Sequence, residues 1–81
     1  MNSLSLTPDS FLPLTNDEEK SKSIKYEEKQ ITISIKRHDL QYTVDISVGK
    51  KIFPQLLFSS EDYLRNNWGA VVAVVNSGYT N

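Results

Sequence analysis

The chain has 81 residues, no cysteine and a formal charge of −1 at pH 7. A domain of this size buries only about 60% of the surface of its unfolded chain, and lacking thiols it has neither a disulfide staple nor a thiolate metal site. Near-neutrality removes any bulk electrostatic case for nucleic acid or an anionic membrane, and no apolar run reaches membrane-spanning length.

Residues 1–23 read as a flexible N-terminal arm, followed by one small domain over 24–81. Ser, Thr, Asn, Asp and Pro dominate the arm, Pro8 and Pro13 interrupt any helix, and Asp17 to Lys22 is a solvated charge run. Within it Leu4, Leu6, Phe11, Leu12 and Leu14 form an apolar set, and Phe11–Leu14 has the character of an extended segment that docks into a groove. The first residues lack the basic start and long apolar stretch of a secretion signal, which makes the cytoplasm the default location.

Ile31 to Lys36 and Tyr42 to Val48 alternate apolar and polar residues without a fault. They predict a hairpin (31–36 and 42–48) joined by the polar link Arg37 to Gln41. Ile31, Ile33 and Ile35 then share a face with Tyr42, Val44, Ile46 and Val48, while Thr32, Ser34, Lys36, Thr43, Asp45 and Ser47 face water. Upstream, Ile24 and Tyr26 fall on the opposite parity to Ile31, so a bulge or a turn between Glu27 and Gln30 has to reset the register, with a short extra strand at 23–27 as an option.

Residues 52–58 are apolar without a clean period and read as an irregular cover for the core, through Phe53, Leu56, Leu57 and Phe58. Ser60 suits a helix N-cap, Glu61 and Asp62 suit its first turn, and Gly69 suits the position past its end, giving a helix over about 61–67. Ala70 to Val75 carries four valines between turn formers and reads as a central strand with two apolar faces. The fold class expected is α+β: a mostly antiparallel sheet made of the hairpin and the 70–75 strand, with one short helix. A small all-β barrel is the alternative.

Chemistry is sparse. His38 is the only histidine and sits in the hairpin link between Arg37 and Asp39. There is no Gly-x-Ser-x-Gly elbow, Gly49, Gly69 and Gly78 are too dispersed for a phosphate loop, and the carboxylates lack calcium-loop spacing. The expectation is a non-enzymatic protein without metal or cofactor.

A strand with two apolar faces in so short a chain needs a cover on each side, which points to an interaction surface. The favoured reading is therefore a protein-binding module, such as an accessory subunit, adaptor or inhibitor, acting through an apolar sheet face or edge together with the arm. Its contact residues would be Phe11, Leu12, Leu14, Val71, Val75 and Tyr79, and its partner another protein or a second copy. The alternative is weak nucleic-acid binding through the basic ends of the hairpin, Lys36 with Arg37 and Lys50 with Lys51.

Overall fold

Alternation in the sequence becomes a long antiparallel meander. The structure, a computed structural model, describes residues 6–80. Strands β1 (Glu19–Tyr26), β2 (Lys29–His38) and β3 (Gln41–Val48) lie side by side, and two short strands, β4 (Lys51–Ile52) and β5 (Leu56–Phe58), pair with successive parts of β3. Helices α1 (Glu61–Asn66) and α2 (Trp68–Thr80) follow. The sheet is open, so the architecture is α+β and the barrel alternative falls.

The parity break between Ile24 and Ile31 is resolved by a two-residue turn. Glu27 and Glu28 both have positive φ (50° and 68°), and Ile24 then stands directly opposite Ile31 on the core face. Two left-handed central residues match the twist of a tight hairpin, a geometry that Asn-Gly adopts freely and glutamate does not. Replacing the pair (Glu27→Asn with Glu28→Gly) is expected to stabilise the fold by about 1–2 kcal/mol. A thermal melt reads this as a rise of about 4–8 °C per kcal/mol; an unchanged or lower midpoint contradicts the turn geometry.

On the core face Ile31, Ile33 and Ile35 pair with Val48, Ile46 and Val44, and all six are buried. Beyond β3 the sheet edge is broken: β4 holds Ile52 against Ser47, the chain leaves the ladder through Pro54, and β5 returns with Phe58 against Tyr42. Proline has no N–H to give the ladder, which accounts for two short strands where the apolar run 52–58 has no clear period. Phe58 is buried there and Phe53 and Leu56 are half-buried, but Leu57 faces outward.

Ser60 caps α1, its hydroxyl accepting from the Tyr63 amide at 3.1 Å. The helix ends at Asn67, and α2 begins at once. Here the structure corrects the sequence reading: residues 70–75 are the middle of a helix, and Gly69 lies inside it. Leu64, Trp68, Val71 and Val75 recur every three or four residues, and the stripe runs on to the buried Gly78, a helical period invisible when the six apolar residues are taken alone. A strand would have required cover on both faces. As a helix the segment buries Val71 and Val75 and turns Gly69, Ala70, Ala73 and Ser77 outward.

The N-terminal segment belongs to the fold. Phe11 is 0% exposed, Leu12 and Leu14 are buried, and the Phe11 ring lies 5.9 Å from that of Trp68. Arg37 Nη1 donates to the Leu14 carbonyl at 2.8 Å, Trp68 Nε1 to the Leu6 carbonyl at 3.2 Å, and Arg65 pairs with Asp9 at 2.6 Å. The arm boundary expected at residue 23 falls within β1. Leu4 and the rest of residues 1–5 lie outside the described residues. The chain enters β1 through a bulge in which Asp17 (φ 65°) and Glu18 both face Arg37: the Asp17 amide donates to the Arg37 carbonyl, and the Arg37 amide to that of Glu18.

Candidate interaction surface: the open edge of the sheet

Strand β1 pairs with β2 on one side and, among the described residues, with no strand on the other. The Arg37-to-Glu18 bond sets the phase of the ladder, so that residues 20, 22, 24 and 26 bond to β2. The amides and carbonyls of Glu19, Ser21, Ser23 and Lys25 point away from the sheet, and the strand is exposed over nearly its whole length. Such a row of unpaired backbone groups is a template for another strand.

The side chains of this edge are basic. Lys20 and Lys22 stand opposite Ile35 and Ile33, on the face that carries the core, yet both are exposed because the helices do not reach this far. Lys25 projects from the other face, where Ser21 and Ser23 form hydroxyl rungs with Ser34 (2.6 Å) and Thr32 (3.0 Å). None of the three lysines has an ion-pair partner among the described residues.

Both ends of β1 are anchored. At its start the Glu18 carboxylate accepts from the Thr15 amide at 2.8 Å and from the Thr15 hydroxyl at 3.1 Å. Those bonds hold its pKa below the usual carboxylate value, with the Lys20 charge adding to them. At its end Tyr79 Oη donates to the Tyr26 carbonyl at 2.8 Å, and the two rings meet edge to face at 5.4 Å. Lys29 Nζ lies 5.4 Å from the Tyr79 ring centre and donates to the Gly78 carbonyl at 3.3 Å. Burial raises the Tyr79 pKa, and the nearby Glu27 and Tyr26 push it the same way.

The opposite border offers a different surface. Ile52 is 84% and Leu57 63% exposed, opposite Ser47 and Thr43 on the uncovered face, and a shallow hollow of about 240 Å³ lies beside Ile52 over Thr32, Ser34, Asp45 and Ser47. Pro54 and the gap between β4 and β5 leave no continuous backbone edge there.

Of the contact residues read from the sequence, Phe11, Leu12, Leu14, Val71 and Val75 are gathered in the core and present no docking surface; Tyr79 alone sits at a rim, beside β1. The basic residues are not brought together. Lys36 lies on the uncovered face between Glu19 and Thr43, whereas Lys50 and Lys51 flank an opening beside Lys29 and Gly78. Arg37 is half-buried and commits its guanidinium to two carbonyls, Leu14 and Asp39, both at 2.8 Å. His38 Nδ1 lies 3.2 Å from Asp17 Oδ1, with both side chains mostly exposed.

Sequence reading passed over Lys20 and Lys22, although the signal was present. Lys20, Lys22, Ile24 and Tyr26 alternate with Glu19, Ser21, Ser23 and Lys25, a period-two pattern hidden by its polarity. Among the described residues no three His, Asp or Glu side chains converge as a metal site, and no helix is long and apolar enough to cross a membrane. Compared with protein-family models, with curated proteins and with solved structures, the chain finds no match.

Proposed function

We propose that the protein is a non-enzymatic binding module, acting in the cytoplasm as an adaptor, accessory subunit or inhibitor, that takes up an extended segment of another polypeptide as a strand along β1. The observation that carries this reading is the eight-residue edge whose outward backbone groups pair with no strand among the described residues, held at both ends by the Thr15–Glu18 and Tyr26–Tyr79 contacts. Main-chain hydrogen bonds supply the affinity in this mode, and alternate side chains supply the selectivity. In a second copy paired antiparallel about Lys22, Lys22 would face Lys22, a like-charge contact that disfavours that register.

Proline at position 23 tests the reading. The Ser23 amide faces outward, so Ser23→Pro removes a backbone donor needed by an added strand and no backbone donor used by β2, whose one other bond to this residue is the exposed hydroxyl rung from Thr32. The variant is expected to keep its circular dichroism and to lose the proteins that the parent chain captures from a lysate of its source cells. Equal capture by both chains would overturn β1 as the site.

A further inference from the structure

We propose that the segment accepted by β1 is acidic at alternate positions, with glutamate or aspartate on the core-side row that meets Lys22 and Lys20. The proposal rests on the edge-binding reading above and adds the chemistry of the partner.

A strand added to β1 has two rows of side chains. The core-side row runs beside Lys20, Lys22, Ile24 and Tyr26, and the other beside Glu19, Ser21, Ser23 and Lys25. Adjacent strands place directly facing side chains about 4.5–5.5 Å apart, close enough for opposite charges to stabilise and like charges to repel. Lys20 and Lys22 are exposed, have no ion-pair partner among the described residues and lie two residues apart on one face, so they present two positive charges in register with alternate residues of an incoming strand. The neighbouring Ile24 is half-buried and asks for an apolar residue instead. In the antiparallel sense, which continues the pairing of this sheet, the partner therefore reads apolar, spacer, acid, spacer, acid from its N-terminus.

The flanks limit where the acids fall. Glu27 and Glu28 occupy the turn after β1, and Asp17, Glu18 and Glu19 precede or begin it. An acidic residue is thus favoured in the middle of the edge and repelled at either end. This distribution fixes register, as charge complementarity does at other interfaces. Lysines on the core-side face of an edge strand also guard against indiscriminate pairing, because an apolar strand laid there would desolvate them without compensation. The same two residues that exclude most strands thereby select one kind.

Three synthetic peptides of eight residues test this, all with valine facing Ile24 and threonine as spacers. One has glutamate at the two positions facing Lys22 and Lys20, one has lysine there, and one threonine. Binding is read by NMR as slowed exchange and shifted resonances of the Ser21 and Ser23 amides. The glutamate peptide is expected to bind about tenfold more tightly than the threonine peptide, with an advantage that shrinks as salt rises, and the lysine peptide more weakly still. In the double variant Lys20→Glu with Lys22→Glu the order is expected to invert, so that the lysine peptide binds best. Equal protection of Ser21 and Ser23 by all three peptides overturns the acidic preference and leaves β1 as a strand acceptor. If none of the three protects those amides, the edge reading fails and this proposal with it.

Discussion

Phe11→Ala is expected to remove about 3–5 kcal/mol of folding stability, the cost of emptying a fully buried aromatic site. Phe11 is 0% exposed and stacks obliquely on Trp68 at 5.9 Å, so truncation leaves a void against α2 that the backbone cannot close. A chain of this length has about 4–12 kcal/mol in total, and the variant stands near the limit of folding. Urea unfolding followed by circular dichroism checks this, with Leu57→Ala as the comparison. Leu57 is 63% exposed, and its replacement is expected to change stability by about 0.5 kcal/mol or less. Similar midpoints for the two variants would mean that the N-terminal segment is an appendage, as its composition suggests. A large loss at Phe11 alone identifies residues 6–14 as a third component of the core, beside the sheet and the helices.

That segment shows why part of this fold could be read from the sequence and part could not. Strands β2 and β3 were legible because one face is buried and the other wet, which writes itself as strict alternation from Ile31 to Lys36 and from Tyr42 to Val48. The cap at Ser60 and the register reset before Ile31 were legible for equally local reasons. Phe11, Leu12 and Leu14 obey no period, because they are buried by irregular backbone tied down by distant partners: the Arg37 guanidinium on the Leu14 carbonyl and the Asp39 amide on Asn16 Oδ1 at 2.7 Å. Helix α2 failed for the opposite reason. Its four valines have strand propensity, and tertiary packing of one stripe overrode it. The open edge was illegible because β1 is polar on both rows: its exposed lysines stand where a central strand would carry aliphatics.

Gly78 is where α2 meets the sheet most closely, and Gly78→Ala is the second substitution with a large expected effect. A Cβ built at this position falls 2.8 Å from Val48 Cβ and 2.9 Å from its Cγ2, well inside van der Waals contact. Val48 is unable to retreat, since it is buried and paired with Ile31 on one side and Lys51 on the other. The helix end must lift instead. Overpacking of this kind costs about 1–3 kcal/mol against the roughly 1 kcal/mol by which alanine favours a helix over glycine, and with contacts this short the expected net is a loss of about 1–2 kcal/mol. Gly69→Ala supplies the contrast within the same helix: nothing lies within 4 Å of its added methyl, so propensity acts alone and a gain of about 0.5–1 kcal/mol is expected. The displacement also has a directional consequence. Lys29 reaches the Gly78 carbonyl, and Tyr79 Oη holds the Tyr26 carbonyl, so raising this end of α2 loosens the anchor at the end of β1. Native-state hydrogen exchange should therefore show faster opening at Tyr26 and Lys29 in Gly78→Ala, with Ile33 and Ile35 changed only by the global loss. Equal stability of the two alanine variants would mean that the helix does not approach β3 as closely as the Val48 contact requires, and the coupling between α2 and the open edge would go with it.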